Sequence, residues 1–317
     1  MVRLTEYSPN AQRSALVAIT TSGVPIGTML SALIGMVVLP GVGWRPMYFI
    51  GFIPLIMVVL LYLFSPESIA RLIKNGDKEQ IRKTLKRANR DYIPHSDDEY
   101  VTGSSKVQKA SFASLFRDGL AANTILFWLL FGMSMFTVYG MVTWLPKLMM
   151  TAGYALGSSL QLMFTYTLGA IPGMFLSGPI TDRIGFKKSL MAYSLIPAIL
   201  AIPLATKPSA IVTSILLFLV GAGIYGLMSV IYLYVATSYP SVSRGTGLGW
   251  ASALGRLGGS FGPTIGGILV AQKASLTTNF VAFIIVPLVL AAILGLLTKD
   301  ITRSEINRLS SDQTHIA

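Results

Sequence analysis

Residues 210–238 read Ala-Ile-Val-Thr-Ser-Ile-Leu-Leu-Phe-Leu-Val-Gly-Ala-Gly-Ile-Tyr-Gly-Leu-Met-Ser-Val-Ile-Tyr-Leu-Tyr-Val-Ala-Thr-Ser, without a single charged side chain. About 20 mostly apolar residues suffice for a helix to cross the hydrocarbon core of a bilayer, and this run exceeds that. Seven further stretches qualify: 14–39, 47–64, 122–145, 158–180, 189–206, 246–271 and 280–298. One such run also fits a buried helix in a soluble protein, but eight in succession fit only a membrane bundle. Composition agrees. Of 317 residues, 53% are hydrophobic and 12% charged, where an average soluble domain carries about 25% charge. The missing solvated surface faces lipid. Several spans contain proline, for example Pro25, Pro172 and Pro263, which membrane helices tolerate because neighbours satisfy the freed backbone groups.

Other classes fall away. The chain has no cysteine, and its two histidines, His95 and His315, lie in polar segments. Thiolate clusters, disulfides and histidine-based metal or acid–base chemistry have no material to work with. No cofactor or metal is expected, and no enzyme, for want of a nucleophile or paired carboxylates inside the spans. A net charge of +12 would suit nucleic acid. The basic residues, however, are spread over short loops between apolar runs, so the expected partner is the bilayer and not nucleic acid.

Lysine and arginine in the loops set orientation. Eight spans put both termini on one side, which carries twenty of the 25 basic residues; four lie opposite, and Arg256 lies within a span. The expectation is a multi-pass protein of the cell membrane with both termini cytoplasmic. No cleavable signal peptide is visible, since the first nine residues are polar and the first apolar run is too long. The 65–121 loop is the one extended hydrophilic segment. Ile69, Leu72 and Ile73 sit at helical spacing in it, as they do in a helix along the membrane face or in a solvated linker. Residues 92–107 read as flexible.

This loop leaves two spans before it and six after it. Transporters built from two halves have six spans in each half, so the expectation is a complete second half and a first half four spans short. The expected fold class is an all-α integral membrane bundle of about eight helices. Its expected parts are a two-span remnant (1–65), a cytoplasmic central loop (66–121), a six-helix half (122–298) and a cytoplasmic tail (299–317).

Particular residues carry a resemblance. Leu4-Thr5-Glu6-Tyr7-Ser8-Pro9 followed by Arg13, Gly43-Trp44-Arg45, Pro66-Glu67-Ser68, Thr143-Trp144-Leu145-Pro146, Tyr239-Pro240 to Arg244, Gly247 to Trp250, Gly255-Arg256 and Gly262-Pro263 occur in this order. Together they resemble the major facilitator superfamily, most closely its aromatic acid:proton symporter branch, along essentially the whole chain. Gly178-Pro179-Ile180-Thr181-Asp182-Arg183-Ile184-Gly185 resembles that superfamily's G-x-x-x-D-R-x-G loop motif. The resemblance implies a gating loop of Gly178, Asp182, Arg183 and Gly185, with Arg244 as a further functional arginine. At a helix end, a carboxylate such as Asp182 can bond free N–H groups or an arginine. The bland alternative is an ordinary charged turn. Phe186 stands where the motif has a basic residue, which leaves one charge contact open.

Arg256 is the most informative side chain. Counting from Thr246 at 1.5 Å per residue places it about 15 Å deep, near the middle of a core about 30 Å thick. An arginine there costs at least about 2.5–3.5 kcal/mol and needs a partner. Every aspartate and glutamate lies outside the spans. The partner is therefore an anionic substrate, backbone carbonyls, or an acid elsewhere. Glycines at 245/249, 255/259, 258/262 and 262/266 repeat at four-residue spacing, which reads as close helix packing. Arg256, Glu6, Tyr225 and Trp250 are the candidates for substrate binding or coupling. Tyr139, Gln161, Tyr166 and Tyr232 form a wider pool that could line an aromatic pocket.

The resemblance implies proton-coupled transport of a small aromatic carboxylate by alternating access, with substrate and protons as partners and the chain truncated at its N-terminus. The alternatives are a sugar, polyol or other organic-acid carrier of the same superfamily, and an inactive gene fragment.

Overall fold

The computed structural model describes residues 23–64, 79–82, 112–117, 119–240 and 243–299. Glu6, most of the 65–121 loop and the tail beyond Lys299 lie outside them. The chain divides into two compact units, Met1–Gly23 with Gly41–Val107, and Val24–Pro40 with Gln108–Ala317.

Helix α1 (Gly23–Val42) carries the first apolar run. The second was expected as one span over 47–64, and it is instead two helices, α2 (Arg45–Ile50) and α3 (Ile53–Phe64). The break falls at Gly51-Phe52. Pro54 has no N–H to return to the Ile50 carbonyl, so the ladder cannot run through. Arg45 lies over the Trp44 ring at 5.1 Å, a cation–π contact.

The second unit holds a 3₁₀ turn (Phe112–Phe116), then α4 (Ala121–Thr151), α5 (Leu156–Ile184), α6 (Phe186–Leu204), α7 (Ala210–Ser238) and α8 (Arg244–Ala271). Helix α9 (Leu276–Phe280) runs through a π turn (Val281–Ile285) into α10 (Val286–Leu297). The π turn sits where Pro287 withholds the N–H that the Phe283 carbonyl would accept, so the ladder widens just before it. Among the described residues, five helical stretches are long and apolar enough to cross a membrane: Gly23–Val42, Ala121–Thr151, Phe186–Leu204, Ala210–Ser238 and Leu276–Leu297. Helices α5 and α8 have the length, but glycine, serine and threonine dilute their hydropathy.

Hydrogen bonds lace the two ends of the helices α4 to α10. At one end Thr124, opening α4, donates to the Leu115 carbonyl (2.7 Å) and therefore accepts from the Tyr239 hydroxyl (2.7 Å), just past α7. Burial pushes the Tyr239 phenol above its ordinary range, and the Thr124 bond pulls the other way. Asn123 exchanges two bonds with the Lys299 backbone, 2.9 and 2.8 Å, which fixes the end of α10 beside the start of α4. At the opposite end the Tyr154 hydroxyl meets Thr213 at 3.1 Å, joining the exit of α4 to the start of α7. Arg117, Arg183, Lys187, Lys188, Arg244 and Lys299 lie at the first end, against Lys147, Lys207 and Lys273 at the other. The first is thus the basic end.

Two helix pairs make the tightest crossings. Gly169, Gly173 and Gly221 let α5 and α7 approach backbone to backbone. Helix α8 meets α4 through Gly255, Gly258, Gly259, Gly262 and Gly266, where an added Cβ would run into Phe131, Gly132, Tyr139, Phe136 and Trp144. Gly245 and Gly249 take no part, since a Cβ at either would meet none of the described residues within 4 Å. The Trp144 indole N–H donates to the Pro263 carbonyl at 2.9 Å and pins the same pair near its far end.

Candidate functional site

Helix α8 presents three faces. At about 100° per residue, Gly249, Ser252, Ala253, Ser260 and Thr264 all fall within about 80° of Arg256. The glycines that touch α4 lie to one side of this stripe. Leu257, Phe261 and Ile268, all exposed, lie to the other. Arg256 itself is exposed, and it stands on the small, hydroxyl-bearing face rather than on the greasy one. The hydroxyls there bond their own helix: Ser252 to the Gly249 carbonyl (3.0 Å), Ser260 to that of Arg256 (3.1 Å), and Thr264 to that of Ser260 (3.0 Å). A polar stripe in the middle of a membrane helix needs something other than lipid against it.

Helices α4, α5 and α7 bring tyrosines toward this stripe. Tyr139 of α4 lies against Gly259. Tyr232 of α7 is within electrostatic reach of both Arg256 and Tyr139, and Tyr225, two turns away on the same face of α7, is within reach of Tyr139. Tyr232 packs edge-on against Phe131, ring centroids 4.7 Å apart. Tyr225 and the fully buried Tyr166 of α5 have centroids 6.0 Å apart. The structure thus joins Arg256, Tyr232, Tyr139, Tyr225 and Tyr166 into one series across four helices. Counted along the helices from the basic end, Arg256 lies about 18 Å in, Tyr225 about 20 Å, and Tyr139 and Tyr166 about 27 Å. Helix α8 starts two residues before the expected Thr246, so Arg256 sits slightly deeper than counted and close to the helix midpoint. The hydroxyl stripe is a part of the site that sequence reasoning missed. Its signal was the four-residue spacing of Ser252, Arg256, Ser260 and Thr264.

Trp250 lies elsewhere. Its ring packs on Phe112 (4.7 Å between centroids), which in turn stacks with Trp128 at 6.3 Å, so it belongs to an aromatic cluster nearer the basic end. A cavity of about 300 Å³ opens beside it, lined by Thr246, Gly249, Trp250 and Ala253. Gln161 is exposed on the first turns of α5. Glu6 is not among the described residues.

The gating-loop residues gather at the corner between α5 and α6. Gly185 has φ +84°, a left-handed conformation that other residues adopt only with strain. Its N–H closes α5 on the Thr181 carbonyl (2.8 Å), and its carbonyl accepts from Ser189 in α6 (3.1 Å). Asp182 and Arg183 are exposed, and Gly178 has open space where a Cβ would stand. Arg244 is exposed at the start of α8, its N–H bonded to the Pro240 carbonyl at 2.8 Å. Among the described residues Asp182 makes no ion pair, and Gly185 caps α6 without any side-chain bond. The described carboxylates are Glu79 and Asp182 alone; Asp182 sits at the basic end, and Arg256 forms no ion pair among the described residues. No cluster of metal-ligating side chains occurs among them either.

Known proteins place this architecture. The sequence model of the Major Facilitator Superfamily matches residues 1–233 and 156–315. The benzoate transport protein of Acinetobacter baylyi is 32% identical over 297 residues, which cover 93% of this chain and 63% of that protein. The gentisate transporter of Corynebacterium glutamicum is 33% identical over 278 residues, 87% of this chain and 57% of that one. The 4-hydroxybenzoate transporter PcaK of Acinetobacter baylyi is 30% identical over 297 residues, covering 91% and 64%. The chain therefore spans less than two thirds of the length of these relatives. Among solved structures, a D-xylose-proton symporter superposes with a TM-score of 0.66 at 20% identity, over 93% of this chain and 66% of that one; that likeness concerns the fold. The family is one of membrane transporters rather than enzymes, and the all-helical bundle expected from the apolar runs is the one it builds. This chain is a multi-pass membrane protein, and it belongs to the major facilitator superfamily.

Proposed function

We propose that this protein carries a small aromatic carboxylate across the cell membrane together with protons, by alternating access about a site at mid-membrane. The observation that carries the reading is Arg256, mid-helix on the polar stripe of α8 and in reach of the tyrosine series. A guanidinium at that depth needs an anionic partner, and its planar fork matches a carboxylate with two parallel bonds. Tyr232 lies in reach of it, and Tyr139 and Tyr225 continue the series of rings from there, which suits an aromatic body behind the carboxylate. Relatives named for benzoate, gentisate and 4-hydroxybenzoate transport support the same class. The likeness of the α5–α6 corner to the superfamily's loop motif supports a gating role for Gly178, Asp182, Arg183 and Gly185, with Arg244 at the start of α8 as a further gating arginine. Trp250 then serves at the inner mouth, and Glu6 is the acid proposed for coupling. The charge asymmetry makes the basic end cytoplasmic.

The test is binding of radiolabelled benzoate to the purified chain in nanodiscs, alongside uptake by cells expressing the gene. Arg256→Gln should abolish both. Arg256→Lys should weaken binding by at least about tenfold, because lysine keeps the charge but loses the fork. Unchanged benzoate binding in both variants would overturn the assignment of Arg256 and, with it, the anionic-substrate class.

A further inference from the structure

The Tyr166 side chain is fully buried, and its hydroxyl has no hydrogen-bond partner among the described residues. Buried polar groups are nearly always paired, and one left unpaired costs about 1–3 kcal/mol. Phenylalanine would fill the same volume at the α5–α7 crossing without that cost, so the oxygen calls for a reason. Other hydroxyls in the bundle also lack partners, Thr181, Ser189 and Ser194 among them. Those are short side chains in helices, and a small rotation turns each onto the carbonyl of its preceding turn. A tyrosine hydroxyl stands too far from its own backbone for that. The unpaired Trp128 N–H differs in place: Trp128 lines an apolar groove of about 410 Å³ between α4 and α8, with Phe261 and Ile265, on the greasy side of α8 away from Arg256.

Tyr166 stands at the inner end of the series that begins at Arg256. Its ring is 6.0 Å from that of Tyr225, and Tyr225 is in reach of Tyr139. Along the helix axes Tyr166 lies about 9 Å beyond the level of Arg256. That interval is of the order needed to seat an aromatic acid between the two, its carboxylate on the guanidinium and a para substituent toward Tyr166.

We infer that the Tyr166 hydroxyl is a specificity determinant: it receives a polar substituent on the ring, a phenolic hydroxyl above all, and favours hydroxylated aromatic acids over the bare ring. This rests on the site proposed above and adds its selectivity. A site that keeps a buried polar group for a substrate hydroxyl discriminates against the analogue lacking it, because the group is then left unpaired.

The experiment compares 4-hydroxybenzoate and benzoate as ligands of the purified chain in nanodiscs, by calorimetry, for the unsubstituted protein, Tyr166→Phe and Arg256→Gln. The unsubstituted chain should bind 4-hydroxybenzoate the more tightly. Tyr166→Phe should weaken 4-hydroxybenzoate about tenfold, equivalent to about 1.4 kcal/mol, and change benzoate by less than about twofold, with a melting temperature no lower than before. Arg256→Gln should remove both ligands. If Tyr166→Phe shifts both acids equally or neither, Tyr166 is no determinant, while loss of both in Arg256→Gln leaves the carboxylate site standing. Failure of the unsubstituted chain to bind either acid overturns the site and the inference together.

Discussion

Gly258→Ala should destabilise the packing of α8 on α4, although alanine is ordinarily the better helix former. A Cβ at this position would overlap the Gly132 carbonyl oxygen and come within 2.7 Å of the carbonyl carbon and Cα of the same residue. Carbon atoms rest at about 3.5–4.0 Å, so the shortfall is about 1 Å. The obstruction is backbone on α4, which cannot swing aside as a side chain can, so the two helices must separate. Separation loosens the neighbouring contacts of Gly255 and Gly262 and strains the Trp144–Pro263 bond. Overpacking of this kind costs about 1–3 kcal/mol, and the upper half of that range applies where backbone meets backbone. Gly249→Ala is the internal control. It lies about two and a half turns away on the same helix, with none of the described residues within 4 Å of an added Cβ, and should gain up to about 1 kcal/mol from helix propensity. Thermal unfolding in detergent, followed by tryptophan fluorescence, should move the two variants in opposite directions. Equal melting temperatures would mean that the α4–α8 crossing is not the close contact described.

Three further outcomes are expected. Tyr239→Phe removes the buried bond to Thr124 and should cost about 1 kcal/mol. Because the folded phenol is held above its unfolded range, stability in the unsubstituted protein should be flat below about pH 10 and fall above it, a fall the variant lacks in denaturant titrations at pH 9 and 11. Asp182→Asn should slow benzoate uptake while leaving membrane insertion intact, since it keeps size and removes charge at the α5–α6 corner; normal uptake would return the corner to a plain turn. Reporter fusions at Ser104 and Ala317 should both read cytoplasm, and a signal from the opposite side at either position would contradict the orientation.

The helices were legible because the bilayer imposes one length and one polarity on everything that crosses it. Residues 210–238 need no alignment to be read, and the helix found has those same ends. The break at Gly51-Phe52 was hidden for the same reason. A sequence that is apolar throughout carries no periodic signal, so only Pro54 marked the interruption. Arg256 was found through its cost alone, as a charge where charge is expensive. Its surroundings were less visible. Which tyrosines face it depends on the rotation of four separate helices, and hydropathy says nothing about rotation when all faces are apolar. Trp250 illustrates this: six residues from Arg256 in sequence, it points round the helix to Phe112. The glycine spacing located the α4–α8 seam, yet Gly245 and Gly249 share that spacing and face none of the described residues of α4, because the seam ends before it reaches them.

Helix α8 shows how one segment meets three demands that conflict in any simpler helix. It must pack closely, so one side is stripped to glycine, which lowers hydropathy below what a span usually shows. It must present a charge at mid-depth, so a second side carries Arg256 among serines and threonine whose hydroxyls bond their own backbone and leave the guanidinium fork uncommitted. It must still reside in a membrane, so the third side concentrates Leu257, Phe261 and Ile268. The glycine seam also fixes the rotation of α8 against α4, and that rotation decides whether Arg256 faces Tyr232 or lipid. Packing and binding are therefore coupled through a single angle. A substitution in the seam, such as Gly258→Ala, should weaken benzoate binding without touching any residue in reach of the ligand, whereas an equally bulky change at Phe261 should leave binding unchanged.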